Sequence, residues 1–115
     1  MGKFRESQTA KNLLLSFAGE SQARNRYTYF ARQAFEDGFV QIADIFDETA
    51  NQECEHALRF FKFFNGGELE VSGCFPTGVI RTTYENLVAA ADGERFEHTE
   101  LYPGFARIAR DEGFD

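Results

Sequence analysis

Glu53 and His56 stand three residues apart in the run Glu53-Cys54-Glu55-His56, inside a long segment of helical apolar periodicity from about Phe39 to Phe64. Side chains at i and i+3 share one helix face, so this carboxylate and this imidazole can share a ligand sphere. The inward row of the segment reads Ile42, Phe46, Thr49, Glu53, His56, Phe60 and Phe63, at alternating steps of four and three. That is the seam of a bundled helix. An acid and an imidazole thus replace two core residues in a Phe-rich row. An unpaired buried carboxylate costs roughly several kcal/mol, so a fold keeps one only where something offsets its charge. A metal cation does so; an ion pair with a neighbouring Arg is the plainer alternative.

Two other segments repeat the anomaly. Upstream, Leu13, Glu20, Ala23, Tyr27, Phe30 and Ala34 keep helical spacing with Phe17 beside them, and Glu20 sits mid-row. Downstream, Ile80, Thr83, Leu87, Ala90, Glu94, Glu97 and Leu101 do the same, with carboxylates at adjacent inward positions. Three helices that each carry acid in their own core stripe point to one shared site.

The elements that position these groups follow from local signals. Ser7 or Thr9 caps a first helix that runs to about Glu36, where Asp37-Gly38 stops it. A second helix spans roughly 39–64 and ends at Gly66-Gly67. So short a break makes the two helices antiparallel neighbours. Residues 1–6 read as a polar lead, and 65–77 as an irregular crossover blocked from helix by Gly73 and Pro76. The third helix is expected from Thr77 or Gly78 past Leu101, with Pro103 kinking or restarting it and helical pattern continuing to Glu112. The fold class is therefore all-α: three long helices with a crossover connection, a four-helix bundle left incomplete within 1–115 and completed by oligomerisation.

Composition narrows the partners. The chain has 115 residues, 43% of them apolar and 14 of them Phe, enough for one domain. A formal charge of −7 speaks against nucleic acid, which needs clustered Lys and Arg. Cys54 and Cys74 form neither a disulfide framework nor a zinc site and read as inert thiols. No run reaches transmembrane length and the N-terminus has no apolar signal core, so a cytoplasmic setting without membrane partners is expected. His98, one residue off the inward row, reads as a solvated surface histidine.

Four runs make the chain resemble the rubrerythrin family over nearly its whole length. They are Ala18-Gly-Glu-Ser-Gln-Ala-Arg-Asn-Arg-Tyr27, Asp37-Gly-Phe-Val-Gln-Ile42, Gln52-Glu-Cys-Glu-His56 and Gly93-Glu-Arg-Phe-Glu97. Glu100-Leu-Tyr-Pro103 and Phe105-Ala-Arg-Ile-Ala109 extend the match. The resemblance implies a ferritin-like bundle holding two iron ions, with manganese or zinc as possible substitutes. It implies reduction of hydrogen peroxide, or oxidation of ferrous iron, in oxidative-stress defence. Glu20, Glu53, His56, Glu94 and Glu97 fall on the family's ligand positions, Glu97 on a movable one. Tyr27 and Tyr102 fall on its second row of tyrosines, where hydrogen bonding to ligand carboxylates and plain core packing stand as alternatives.

Two departures accompany the match. The family's fourth helix, with the last carboxylate and a second Glu-x-x-His, would begin after Asp115. No paired Cys-x-x-Cys is present to hold a rubredoxin-type iron, so an external donor such as a rubredoxin, NADH-linked through electron carriers, is expected. Cys54 stands where the family usually has Arg. The resemblance therefore leaves open a diiron peroxidase working as a homodimer or higher oligomer, a non-catalytic iron-binding subunit, and a truncated piece that needs a second polypeptide.

Overall fold

The computed structural model describes residues 2–114; Met1, first residue of the expected polar lead, and Asp115, last residue of the expected domain, lie outside the described residues. The described residues are helical with no strand: α1 (Gly2–Arg5), α2 (Gln8–Glu36), α3 (Val40–Phe61), α4 (Thr83–Phe96), a π-helical turn (Glu97–Leu101) and α5 (Tyr102–Asp111). The molecule is elongated, 51 × 27 × 22 Å, because α2 alone is 29 residues long.

Ser7 caps α2 in extended geometry, its side chain accepting from the Ala10 N–H. At the other end Gly38 takes φ +88°. The Phe39 N–H then reaches back to the Ala34 carbonyl at 2.8 Å, and the Gly38 N–H to the Phe35 carbonyl. This left-handed stop returns the chain at once into α3, so α2 and α3 form one hairpin. Its core is Ala23, Tyr27, Phe30, Ala31 and Ala34 against Ala43, Phe46 and Ala50. Alanines let the two backbones approach, and Tyr27, Phe30 and Phe46 fill the space between with tilted and edge-on rings.

The inward row of α3 differs from the expected one. Ala43, Phe46, Ala50, Glu53 and Ala57 are the buried residues, while Ile42, Thr49 and Phe60 are half-buried and His56 and Phe63 are exposed. Reading the large apolar residues as inward rotates the helix by about one residue. Here the small residues face the partner, and the larger ones flank the groove.

Three further boundaries differ. Residues 2–5 form a short helix whose Arg5 donates to the Gly66 and Glu68 carbonyls and whose Phe4 packs on Phe64 and Phe114, so it fastens the start of the crossover. The crossover is longer than expected, 62–82, and α4 begins at Thr83 rather than Thr77 or Gly78. Thr82 caps it, accepting from the Glu85 N–H, while Asn86 bonds both polar groups of the Arg81 backbone and is itself buried. The cap Thr82-x-x-Glu85 outweighs the helical spacing of Ile80. The inward residues of α4 are accordingly Thr83 and Asn86, with Leu87 exposed.

Asp37 at the hairpin tip accepts from the Thr83 N–H and hydroxyl, pinning the start of α4 to the end of α2. At the far end the Glu112 carboxylate accepts from the Gln8 and Thr9 N–H groups and the Thr9 hydroxyl. An acid at the N-terminus of α2 satisfies donors no helical carbonyl can reach. No helix among the described residues is long and apolar enough to cross a membrane.

A Cβ placed on Gly38 would meet nothing within 4 Å, so the cost of Gly38→Ala is purely that of the left-handed backbone. That substitution should lower unfolding free energy by about 1–2 kcal/mol in a urea titration. An unchanged midpoint would show that the turn does not need its glycine.

Candidate metal centre

The carboxylates enter the bundle from different elements at one level. Glu20 on α2 and Glu53 on α3 are buried, 3% and 4% exposed. One turn beyond Glu53, the His56 side chain is 46% exposed, with Nδ1 3.7 Å from Glu53 Oε1 and 3.9 Å from Glu20 Oε2. Ligand atoms of these three residues all lie within 4.8 Å of one another. Glu20 Oε2 and Glu53 Oε2 are buried with no hydrogen-bond partner. Two carboxylates with orphaned oxygens, converging with an imidazole, are a donor set that suits a divalent cation.

Glu94 and Glu97 join from α4 and the π-helical turn. With Glu20, Glu53, His56 and Tyr102 they line one open cavity of about 290 Å³. His98 is exposed, as expected, and lies at the same cavity, as do Phe60 and Phe63 of the expected inward row and Arg59, which sequence reading did not single out. Tyr27 Oη donates to Glu94 Oε1 at 3.0 Å, and Tyr102 Oη donates to Glu20 Oε1 at 2.6 Å. Both tyrosines thus donate to carboxylates, and both also pack: Tyr27 on Phe30 and Phe46, Tyr102 on Phe60 and Phe105. The tyrosines clamp Glu20 and Glu94 from opposite ends of the chain.

The π turn makes the second clamp reachable. The Tyr102 N–H bonds the Glu97 carbonyl five residues back, adding one residue to the turn. In a regular helix Leu101 would follow Glu97 on the same face; the inserted residue brings Tyr102 toward that face instead. Pro103, which lacks an N–H, falls in the first turn of α5, where none is required. The expected kink is therefore a widened turn that serves the site.

The cluster is electrostatically unbalanced. Among the described residues no Lys or Arg lies within 4.0 Å of its carboxylates. Burial pushes the Glu97 carboxyl up to about 7, with Glu20 and Glu94 repelling its charge and Arg26 pulling the other way. Burial also raises Glu20, against the Tyr102 hydrogen bond and His56. Both tyrosyl hydroxyls are driven upward, by burial first and then by Glu94 for Tyr27 and Glu20 for Tyr102, so they stay protonated donors.

A carboxyl whose pKa is higher folded than unfolded favours the fold at low pH, and that preference is lost as pH rises from about 4.5 to about 7. The metal-free chain should therefore melt at lower temperature at pH 8 than at pH 5, and Glu97→Gln should shrink the difference. Asp37 and Glu112, held below the ordinary carboxyl range chiefly by hydrogen bonds from Thr83 and Thr9, act only at lower pH. A melting temperature that rises steadily from pH 5 to 8 would contradict the repulsion.

The chain is similar to known proteins. A family model described as Rubrerythrin matches residues 11–115. The chain is 61% identical over 115 residues to the rubrerythrin of Nitratidesulfovibrio vulgaris, covering 100% of this chain and 60% of that one. It is 59% identical over 108 residues to the rubrerythrin of Porphyromonas gingivalis, covering 94% and 54%. A solved structure of nigerythrin in a mixed-valence state superimposes with a TM-score of 0.75 at 32% identity, covering 94% of this chain and 56% of that one. The chain spans between half and two thirds of the length of these relatives. With its helical hairpin, its crossover and its carboxylate–imidazole cluster, the chain belongs to the rubrerythrin family.

Proposed function

We propose that the chain is the metal-holding part of a diiron peroxidase in which Glu20, Glu53, His56, Glu94 and Glu97 are the ligands. The observation that carries this reading is the pair of orphaned oxygens, Glu20 Oε2 and Glu53 Oε2, buried on carboxylates that converge with His56 to within 4.8 Å. Carboxylate and imidazole donors fit iron, with manganese or zinc as substitutes. Two ferrous ions would supply one electron each to the O–O bond of hydrogen peroxide.

The chain's own residues do the rest. Tyr102 and Tyr27 fix the rotation of Glu20 and Glu94, so that one oxygen of each carboxylate is committed to the tyrosine and the other is free for metal. Glu97 has no such clamp, and in the metal-free chain burial raises its carboxyl to about 7, which suits a carboxylate that changes partner. The exposed edge of His56 leaves the site open on one side, where a further Glu-x-x-His from another polypeptide stretch or a second copy would complete the ligand set. Exposed Phe35, Phe39, Phe61 and Tyr84 are consistent with a homodimer or larger assembly. A rubredoxin-type protein would return the electrons. The hydrogen bond from Tyr27 to Glu94 supports α4 as a ligand helix and speaks against a site built from two α2–α3 hairpins alone.

Iron content tests the ligand set. Glu53→Ala and His56→Ala should each abolish stoichiometric iron, whereas Glu55→Ala, exposed on the outer face, should retain it. Tyr102→Phe should weaken metal affinity roughly 10- to 100-fold. Replacing Glu94 and Glu97 together by Gln should empty the site; retention of two irons per dimer would instead favour a ligand set of two Glu and two Glu-x-x-His from paired α2–α3 hairpins. Stoichiometric iron without oxidation by hydrogen peroxide would leave an iron-binding subunit that needs a second polypeptide.

A further inference from the structure

On the side of Glu97 away from His56, a second cavity of about 320 Å³ lies between α2, the π turn and the crossover. Glu97 and Tyr102 line both this cavity and the metal-side one. Leu15, Phe75, Pro76 and Phe96 supply its apolar walls, and Gln22 and Arg26 a polar side. The crossover is drawn close over it: Phe75 rests near Gly19, where a Cβ would stand 3.6 Å from the ring, and a Cβ on Gly73 would collide with Leu15. Hydrogen peroxide needs little more room than a water, about 30 Å³. A cavity this large and this apolar, sharing a proposed ligand with the metal side, is shaped for an organic group.

We propose that this cavity receives the organic part of an alkyl hydroperoxide, ROOH, with the O–O group directed past Glu97 and Tyr102 to the metal side. The proposal rests on the peroxidase reading and extends its substrate class. Cleavage of the O–O bond would consume two protons and two electrons, the electrons being what a ferrous pair held by Glu20, Glu53, His56, Glu94 and Glu97 would supply, one each. One oxygen leaves as water and the other remains on the alcohol ROH. The alcohol then occupies the cavity as product, so its binding can be read without metal.

Gly93 offers a way to fill the space. It lines the cavity on α4, and a Cβ there meets nothing within 4 Å. Gly93→Leu puts a side chain into the opening and favours helix. The metal-free chain is titrated with 2-phenyl-2-propanol, the alcohol left by cumene hydroperoxide, and followed by amide NMR shifts. Shifts should concentrate at Gly19, Phe75 and Phe96, diminish in Gly93→Ala and vanish in Gly93→Leu. In the iron-loaded chain, the single-turnover rate with cumene hydroperoxide relative to hydrogen peroxide should fall at least tenfold in Gly93→Leu. Absence of alcohol binding, binding that Gly93→Leu leaves intact, or equal loss of both rates would overturn the proposal while the peroxidase reading stands. An iron-loaded chain inert to hydrogen peroxide would overturn both.

Discussion

The structure turns on acid held inside helical seams. Glu20 and Glu53 occupy core positions of the two helices that form the hairpin, and each keeps an oxygen buried without a partner. Leaving such oxygens unanswered is unfavourable in any fold, because a desolvated carboxylate has lost water and gained nothing. Among the described residues no Lys or Arg within 4.0 Å relieves the charge. The surroundings instead add Glu94 and Glu97 on a third side and raise carboxyl pKa values. A cluster arranged to repel itself is compatible with a stable protein only because the packing around it is strong elsewhere.

That packing is unevenly distributed. The α2–α3 hairpin is bonded by an alanine-lined, aromatic-filled core and closed by a left-handed turn at Gly38. The α4–α5 side is attached mostly by polar ties: Asp37 to Thr83, Tyr27 to Glu94, Tyr102 to Glu20 and Glu112 to the start of α2. Hydrogen bonds contribute roughly 1 kcal/mol each, far less than a packed core. The rigid half therefore presents Glu20 and Glu53, and the more lightly held half presents Glu94 and Glu97. On the second half, Glu94 accepts from Tyr27, whereas Glu97, on the widened turn, has no tyrosine clamp.

The π turn links the site to both cavities. By inserting one residue it brings Tyr102 toward Glu20 while leaving Glu97 on the lining of both the carboxylate cavity and the apolar space under the crossover. Widened turns disrupt helical hydrogen bonding, so they persist where they position something.

Local signals carried much of this into the sequence. Acid at inward spacing singled out Glu20, Glu53, Glu94 and Glu97, because helical periodicity is a property of neighbouring residues and does not wait for tertiary contacts. The cap at Ser7 and the stop at Asp37-Gly38 set the bounds of α2 for the same reason. Other features depended on partners distant in the chain. Which side of α3 turns inward was decided by how closely α2 could approach, which favoured Ala43, Ala50 and Ala57 over Ile42, Thr49 and Phe63. The late start of α4 came from Asn86 folding back on Arg81 and from Asp37 receiving Thr83 across the bundle. The hydrogen bonds of Tyr27 and Tyr102 span 67 and 82 residues, and the extra residue that makes the second one possible leaves no periodic trace. Residue types and their spacing determined which groups could do chemistry; only three-dimensional packing decided which of them meet, and on which face the site stays open.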